Sequence, residues 1–172
     1  LGFPMILKPV HEGSSIGMTK VMRELDLKQA WRNAEQYDSE VLAERWVEGT
    51  EYTAAIVADT ALPLIRLETP REFYDYEAKY QADSTRYHCP CGLAPDQEFQ
   101  FQELAKHAFA AVAATGWGRV DFFLDAAHRP WLIEVNTVPG MTDHSLVPMA
   151  ARVFGWDMPE LVWRILETSA EG

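Results

Sequence analysis

The chain has 172 residues, of which 48% are hydrophobic and 24% charged, the usage of an ordinary globular protein that forms one domain or two small lobes. No apolar run is long enough to cross a bilayer, and no basic segment followed by an apolar one opens the chain, so neither a membrane protein nor a secreted one is expected. The 26 acidic residues outnumber the 15 basic ones and give a formal charge of −11, which argues against a general binder of nucleic acid or membrane surfaces.

Strands dominate the first part of the chain. Asp26 with Gln29 three residues later is the pattern of a capping box, so a helix is predicted to follow Asp26 and to run to about Tyr37. Two of the predicted strands flank a turn at residues 48–50. The strands predicted in this part lie at residues 4–9, 17–22, 41–47, 51–58 and 62–67.

The second part begins with a stretch, residues 69–95, that shows no clear periodicity. Its first portion, residues 69–85, is rich in Tyr, Asp, Glu and Lys and is predicted to be a long functional loop or lid. The longest predicted helix starts at Pro95, and its buried stripe consists of Phe101, Leu104, Ala105, Ala108 and Val112. A hairpin of strands at 117–124 and 130–136 follows, and helices at 145–154 and 158–168 close the chain. Because the strands form hairpins rather than alternating strictly with helices, an α+β fold is predicted rather than a Rossmann sheet.

The predicted closing hairpin brings polar side chains onto one face. With its turn centred between Ala127 and His128, Asp121 faces Glu134 across the strands. The same register pairs Arg119 with Asn136. The neighbours that point the other way, into a core, are Val120, Phe122, Ile133 and Val135.

Two directly opposed carboxylates destabilise a sheet unless a cation lies between them. Carboxylate and amide oxygens suit Mg²⁺, so Asp121, Glu134 and Asn136 are predicted to be metal ligands. The alternative is a structural salt-bridge cluster in which Arg119 neutralises one of the carboxylates.

A second candidate site is the loop at residues 12–17. Its two glycines flank Ser14 and Ser15, so backbone N–H groups can approach a phosphate closely, although the Walker pattern is missing. A plain glycine–serine hairpin turn is the alternative. Lys8 favours the phosphate interpretation, because a lysine at the end of an apolar strand can reach a phosphate as a point charge.

The segment from Glu44 to Val47 is a third candidate. An extended segment can bind adenine through its backbone, and the carboxylate of Glu51 is left for the ribose hydroxyls. The alternative is an edge strand with solvated charges. Cys89 and Cys91, the two cysteines of the sequence, have no second pair to complete a metal site and are predicted to be reduced thiols without chemistry.

Together these features resemble the ATP-grasp superfamily and, at closer range, the D-alanine–D-alanine ligases over essentially the whole chain. The stretches that carry the resemblance are LKP at 7–9, EGSSIG at 12–17, FYDYEAKY at 73–80, GWGRVD at 116–121, EVNTVPGMT at 134–142 and HSLVP at 144–148. The metal hairpin is shared among ATP-grasp enzymes, whereas the tyrosine-rich stretch together with Pro-Gly-Met-Thr is specific to these ligases.

The resemblance implies that ATP lies between two lobes, residues 1–48 and residues 49–172 with the lid at 69–85. Two Mg²⁺ ions, for which Mn²⁺ is expected to substitute, bridge the phosphates to the acidic residues. The residues implied in ATP binding are Lys8, Ser15 and Lys79 for the phosphates, Glu44, Arg45 and Val47 for adenine, and Glu51 for the ribose.

The resemblance also implies a reaction. The γ-phosphate of ATP passes to the carboxylate of one D-alanine, and the amine of a second D-alanine attacks the resulting acyl phosphate. Arg119 and a backbone N–H near Gly140 are implied to stabilise the oxyanion, and Lys79 to hold the transferring phosphate. Ser145 and the N–H of Leu146 are implied to bind the carboxylate of the second D-alanine.

Tyr80 and Ser14 are implied to close the site against water, although Tyr80 could instead only pack its loop. The chain starts at the central ATP-binding strand, so an N-terminal substrate-binding domain is expected outside it. Cytoplasmic localisation, homodimers of the full-length protein and no nucleic-acid or membrane partner are expected. The alternatives are a different ATP-grasp carboxylate–amine ligase and a catalytically silent ATP-binding module.

Overall fold

The computed structural model describes residues 1–69 and 85–170, which fall into two compact units. Unit 1 contains Leu1–Val47 with Thr69 and Thr85, and unit 2 contains Glu48–Glu68 and residues 86–170. No helix of the described residues is long and apolar enough to span a membrane.

Unit 1 is a three-stranded antiparallel sheet with one helix on it. Its elements are β1 (Met5–Pro9), β2 (Thr19–Val21), a 3₁₀ turn (Glu24–Asp26), α1 (Leu27–Glu35) and β3 (Val41–Arg45), and the strand order is β2–β1–β3. Leu7, Val21 and Ala30 form the core between the sheet and α1. Because strand side chains alternate, Lys8 and Glu44 lie on the face that α1 does not cover.

The predicted capping box at the start of α1 is wrong. Asp26 does precede the helix, but its backbone is helical (φ −87°, ψ −11°) and its side chain makes no capping bond. A capping side chain needs an extended backbone to reach over the first turn. The carboxylate of Asp26 instead accepts Nε and Nη2 of Arg23 at 3.1 and 3.2 Å, and Gln29 donates to Asn33.

Unit 2 is an antiparallel sheet in the order β7–β6–β4–β8–β9, with β5 paired to β4. The strands are β4 (Thr50–Val57), β5 (Thr60–Ala61), β6 (Ile65–Glu68), β7 (Arg86–His88), β8 (Trp117–Leu124) and β9 (Pro130–Asn136). The helices are α2 (Pro95–Ala111), α3 (Leu146–Phe154) and α4 (Met158–Ala170). The core of unit 2 lies between the sheet and α2 and is centred on Phe101, Val120 and Phe122.

The segment at residues 48–50 connects strands of separate sheets, since β3 pairs with β1 whereas β4 pairs with β6 and β8. Two further predictions need correction. The strand β7 lies in the stretch without periodicity, and its three residues are too few to show an alternating pattern. On α2, Phe109 is buried, whereas Val112 is 59% exposed because it follows the last helical residue.

Candidate functional site

The β8–β9 hairpin brings together the four predicted polar residues. Asp121 is the pairing partner of Glu134, and Arg119 is the partner of Asn136, as the sequence predicts. The turn itself differs from the prediction, because Leu124 pairs with Pro130 and a bulge then shifts the register between Asp121 and Phe122. The two deviations cancel, so the predicted register is correct at the site.

The bulge changes the prediction for the core-facing neighbours. Val120 and Phe122 are fully buried, and Val135 packs against the same core. Phe122 pairs with Leu132, which leaves Ile133 as the extra residue without an opposite partner, and Ile133 is only partly buried.

Asp121 lies at the centre of the cluster. Its carboxylate is 7% exposed and forms a two-point ion pair with Arg119, at 2.8 Å from Nε to Oδ1 and 2.7 Å from Nη2 to Oδ2. The Asn136 amide nitrogen donates to Asp121 at 3.0 Å and to Glu134 at 3.1 Å. The N–H₂ group of Asn136 thus bridges the two opposed carboxylates.

This donor set fits Mg²⁺. It offers two carboxylates and an amide oxygen, the hard oxygen ligands that Mg²⁺ prefers. Across residues 1–69 and 85–170 no group of three or more His, Cys, Asp or Glu side chains could hold a metal, so the two carboxylates of this site depend on Asn136 for a third protein ligand among these residues. The Arg119–Asp121 ion pair is also what the salt-bridge alternative requires.

Glu51 lies on the same face of the sheet as Asp121. It stands on β4 two residues before Thr53, the pairing partner of Asp121, and alternate residues of a strand share a face. The other face of the sheet is covered by α2. The carboxylate predicted for the ribose and the Asp121 carboxylate predicted for the metal therefore lie on the same face of the sheet of unit 2.

Thr53 is a residue of this site that the sequence reading missed. It is 2% exposed, and its hydroxyl donates to Oδ1 of Asp121 at 2.5 Å. A threonine in an apolar strand carries no signal of its own. Only the knowledge that β4 pairs with β8 could have pointed to it.

In unit 1, Lys8 and Glu44 form an ion pair of 2.5 Å on the face opposite α1. The Lys8 ammonium has three N–H donors, so two are available for a phosphate while the pair persists. Because strand side chains alternate, the side chain of Arg45 lies on the opposite face of β3 from that of Glu44. Only the backbone of Arg45 therefore lies along the segment between Glu44 and Val47. In the described sheet β3 is an edge strand.

The loop of unit 1 has an unusual backbone. Ser14 and Ser15 have positive φ of 52° and 60°, and the N–H of Ile16 donates to the carbonyl of Gly13 at 3.1 Å. Asp38 holds the start of the loop by accepting the N–H and Nδ1 of His11 at 2.8 and 2.7 Å. The backbone N–H groups of Glu40 and His11, in that order, lower the pKa of Asp38 to about 2, so this anchor is charged near neutral pH.

Ser145 directly precedes α3. Its hydroxyl accepts the N–H of Thr142 at 3.0 Å and makes no capping bond to α3. Gly140 lies so close that an added Cβ would be 2.9 Å from Ser145 Oγ. Within the described chain, the helix start at Leu146 is therefore not capped by the serine before it, which leaves it suited to an anion.

Two further residues are predicted to belong to the site. Lys79 and Tyr80 lie outside the described residues.

The two cysteines are partly or fully shielded from solvent. Burial is the main cause that raises the pKa of Cys89 to about 11, and it also raises the pKa of Cys91. Both thiols are therefore protonated near neutral pH and are poor nucleophiles.

Comparison with known proteins places this chain in a family. The fold is the ATP-grasp fold of D-alanine ligases: the D-Ala:D-Ser ligase VanG of Enterococcus faecalis matches with a TM-score of 0.87 and 30% identity, over 98% of this chain and 50% of that chain. The D-alanine–D-alanine ligase of Bacillus anthracis matches with a TM-score of 0.85 and 33% identity, over 99% of this chain and 55% of that chain.

The family model described as "D-ala D-ala ligase C-terminus" matches residues 1–167, and the chain belongs to this D-alanine–D-alanine ligase family. It is 59% identical over 169 residues to the D-alanine–D-alanine ligase of Methylococcus capsulatus, covering 98% of this chain and 55% of that protein. It is 61% identical over 166 residues to the D-alanine–D-alanine ligase of Alkalilimnicola ehrlichii, covering 96% of this chain and 53% of that protein. The chain thus spans about half the length of the curated relatives it matches.

Proposed function

We propose that the full-length protein containing this chain joins two D-alanines in an ATP-dependent, ADP-forming reaction. The observation that carries the proposal is the cluster of Arg119, Asp121, Glu134 and Asn136 on the hairpin of a chain in this family. The dipeptide would serve the synthesis of peptidoglycan precursors in the cytoplasm. Homodimerisation is proposed from the family resemblance alone.

Residues of unit 1, and Glu51 of unit 2, are proposed to bind nucleotide. Lys8 and the backbone of the loop at Ser14 and Ser15 would bind phosphates, and the segment from Glu44, near the end of β3, to Val47 would bind adenine. Glu51 would bind the ribose. The position of Lys8 on the face opposite α1 and the edge position of β3 support these roles.

The metal residues would be Asp121, Glu134 and Asn136, which are proposed to hold two Mg²⁺ ions, with Mn²⁺ as a substitute. Bound there, the cation would neutralise phosphate charge as the γ-phosphate is transferred. The protein's part is to hold the two carboxylates in place, and the bridging amide of Asn136 supports this role by offsetting their repulsion.

The acyl transfer requires groups that stabilise the negative charge formed on the carbonyl oxygen. A carboxylate is a poor acyl donor until one of its oxygens becomes a good leaving group, which phosphorylation of the first D-alanine provides. Attack by the amine of the second D-alanine then places charge on the carbonyl oxygen. Arg119 and a backbone N–H near Gly140 would stabilise this charge, and the phosphate would leave.

The second D-alanine would bind by its carboxylate at the start of α3, through the Ser145 hydroxyl and the N–H of Leu146. The Ser145 hydroxyl is not used to cap its own helix, which supports this role. Lys79 and Tyr80 are proposed, from the resemblance alone, to hold the transferring phosphate and, with Ser14, to exclude water.

D-serine is the second candidate for the amine substrate. The specific observation in its favour is the fold match to the Enterococcus faecalis protein, a D-Ala:D-Ser ligase. The curated relatives at 59% and 61% identity, against 30% for that protein, favour D-alanine.

The test measures ADP release by the full-length protein with Mg-ATP and D-alanine, L-alanine, D-lactate or D-serine, with identification of the product. We expect release that depends on D-alanine and yields the dipeptide. Glu134→Gln should lower kcat/KM at least about a hundredfold, since ligand changes cost more than changes to surrounding residues. Glu103→Gln, on the surface of α2, should behave as wild type. A rate that is unaffected by D-alanine would refute the proposal.

A further inference from the structure

Thr53 makes the shortest hydrogen bond to the carboxylate of Asp121. It stands on β4 directly opposite Asp121 on β8, and its hydroxyl donates to Oδ1 at 2.5 Å. The carbonyl of Val120 lies farther away, at 3.5 Å from the same hydroxyl. Thr53 is 2% exposed, so this hydroxyl is out of reach of solvent and its orientation is set by these partners.

The four bonds to Asp121 divide evenly between its two oxygens. Oδ1 accepts the Thr53 hydroxyl and Arg119 Nε, and Oδ2 accepts Arg119 Nη2 and Asn136 Nδ2. A carboxylate has about four lone-pair sites, so both oxygens are fully used. A cation can gain an oxygen of Asp121 only if one of these donors turns away.

Asn136 is the donor that can turn away at least cost. It is only partly buried, whereas Thr53 and Arg119 are 2% and 8% exposed. Rotation of its amide would release Oδ2 and present its own oxygen in place of the nitrogen. The same rotation would release Glu134, to which Asn136 also donates.

We propose that Thr53 is a positioning residue that, with Arg119, holds Oδ1 of Asp121, so that Oδ2 is the oxygen offered to the divalent cation. The inference rests on the proposed metal-binding function of Asp121. Thr53 fits this task because its side chain is short and, being β-branched, has few rotamers in a strand. Without the Thr53 hydroxyl, Oδ1 keeps only Arg119 Nε and loses one of its two hydrogen bonds in a buried place, and the carboxylate turns to recover a second partner.

The experiment compares Mn²⁺ binding by Thr53→Val, which keeps the shape and removes the donor, with Thr53→Ser, which keeps the donor. Free Mn²⁺ is followed by its EPR signal in a titration of the protein with Mn²⁺ alone, and melting curves are recorded in parallel. Thr50→Val on the exposed end of β4 is the matched control. Asp121→Asn defines the loss of the site.

We expect Thr53→Val to bind Mn²⁺ about tenfold more weakly or worse, and Thr53→Ser and Thr50→Val to stay close to wild type. Thr53→Ala is measured beside Thr53→Val, so that a variant that fails to fold does not decide the result. Wild-type affinity in Thr53→Val or Thr53→Ala, or equal weakening in Thr53→Ser, overturns the role of Thr53 and leaves the metal site standing. Equal Mn²⁺ binding by wild type and Asp121→Asn overturns the metal site itself.

Discussion

Ser14 and Ser15 show how backbone conformation at single residues bears on function. Positive φ at two successive residues other than glycine is uncommon and costs of order 1–3 kcal/mol each. A plain hairpin turn with this backbone would favour glycine or asparagine at both positions. The serines in this strained turn therefore favour the phosphate-loop interpretation, in which hydroxyl and N–H groups face a ligand.

Gly17, at the end of this loop, is closely surrounded by neighbouring side chains. Its φ is 70°, and an added Cβ would lie 2.7 Å from Tyr37 Cδ2 and 2.8 Å from Pro9 Cγ. We expect Gly17→Ala to lower the free energy of unfolding by about 1–3 kcal/mol and to raise KM for Mg-ATP in the full-length protein. Gly13→Ala is the control for stability, because nothing lies within 4 Å of its added Cβ. Equal melting temperatures for the two variants would contradict the prediction.

At the scale of the element, Asp125 organises the turn of the β8–β9 hairpin. Its carboxylate accepts the N–H groups of Ala127 and Arg129 and Nε of Arg129, at 2.9, 3.0 and 2.8 Å. Trp131 Nε1 adds a fourth bond at 3.2 Å. The N–H of Arg129 is the main cause that holds the pKa of Asp125 well below its ordinary value. The turn is thus built around a charged carboxylate.

This lowered pKa predicts a pH dependence of stability. A carboxyl group with a lower pKa in the folded state stabilises the fold above its unfolded pKa of about 3.9 and loses that contribution as the pH falls below it. We expect Asp125→Asn to be less stable than wild type near neutral pH and to lose less on acidification. Urea denaturation between pH 7 and pH 2 measures both. Asp59→Asn, in the exposed turn between β4 and β5, is the control and should show the same pH dependence of stability as wild type. If Asp125→Asn loses as much stability as wild type between pH 7 and pH 2, the prediction is refuted.

At the scale of the whole molecule, each unit has its own hydrophobic core. Leu7, Val21 and Ala30 form that of unit 1. In unit 2, Phe122 is fully buried, with the rings of Tyr52 and Phe101 each 5.9 Å from its own. The core of unit 2 lies directly beneath the strand that carries Arg119 and Asp121, so packing of the core holds the site in register.

Removal of the Phe122 ring should therefore weaken both stability and the site. We expect Phe122→Ala to lower the free energy of unfolding by about 3–5 kcal/mol, measured by urea denaturation. Mn²⁺ binding should weaken together with stability. Phe99→Ala on the same helix as Phe101 is the control, since Phe99 is 62% exposed and its loss should change stability by no more than about 0.5 kcal/mol. A small effect of Phe122→Ala would show that this core does not support the hairpin.

By itself the sequence determined the features that depend on neighbours along the chain. The alternation of residues in β8 and β9 predicted Asp121 opposite Glu134, and this pairing is correct because the shift at the turn and the bulge cancel. The glycine loop and the family motifs are also local. Only the tertiary structure decided that β4 lies beside β8 and β3 beside β1. Local periodicity does not encode which distant strands pair, and Thr53 and Asp121 are 68 residues apart. The hydroxyl that completes the bonds of Asp121 is for this reason visible only in the folded chain.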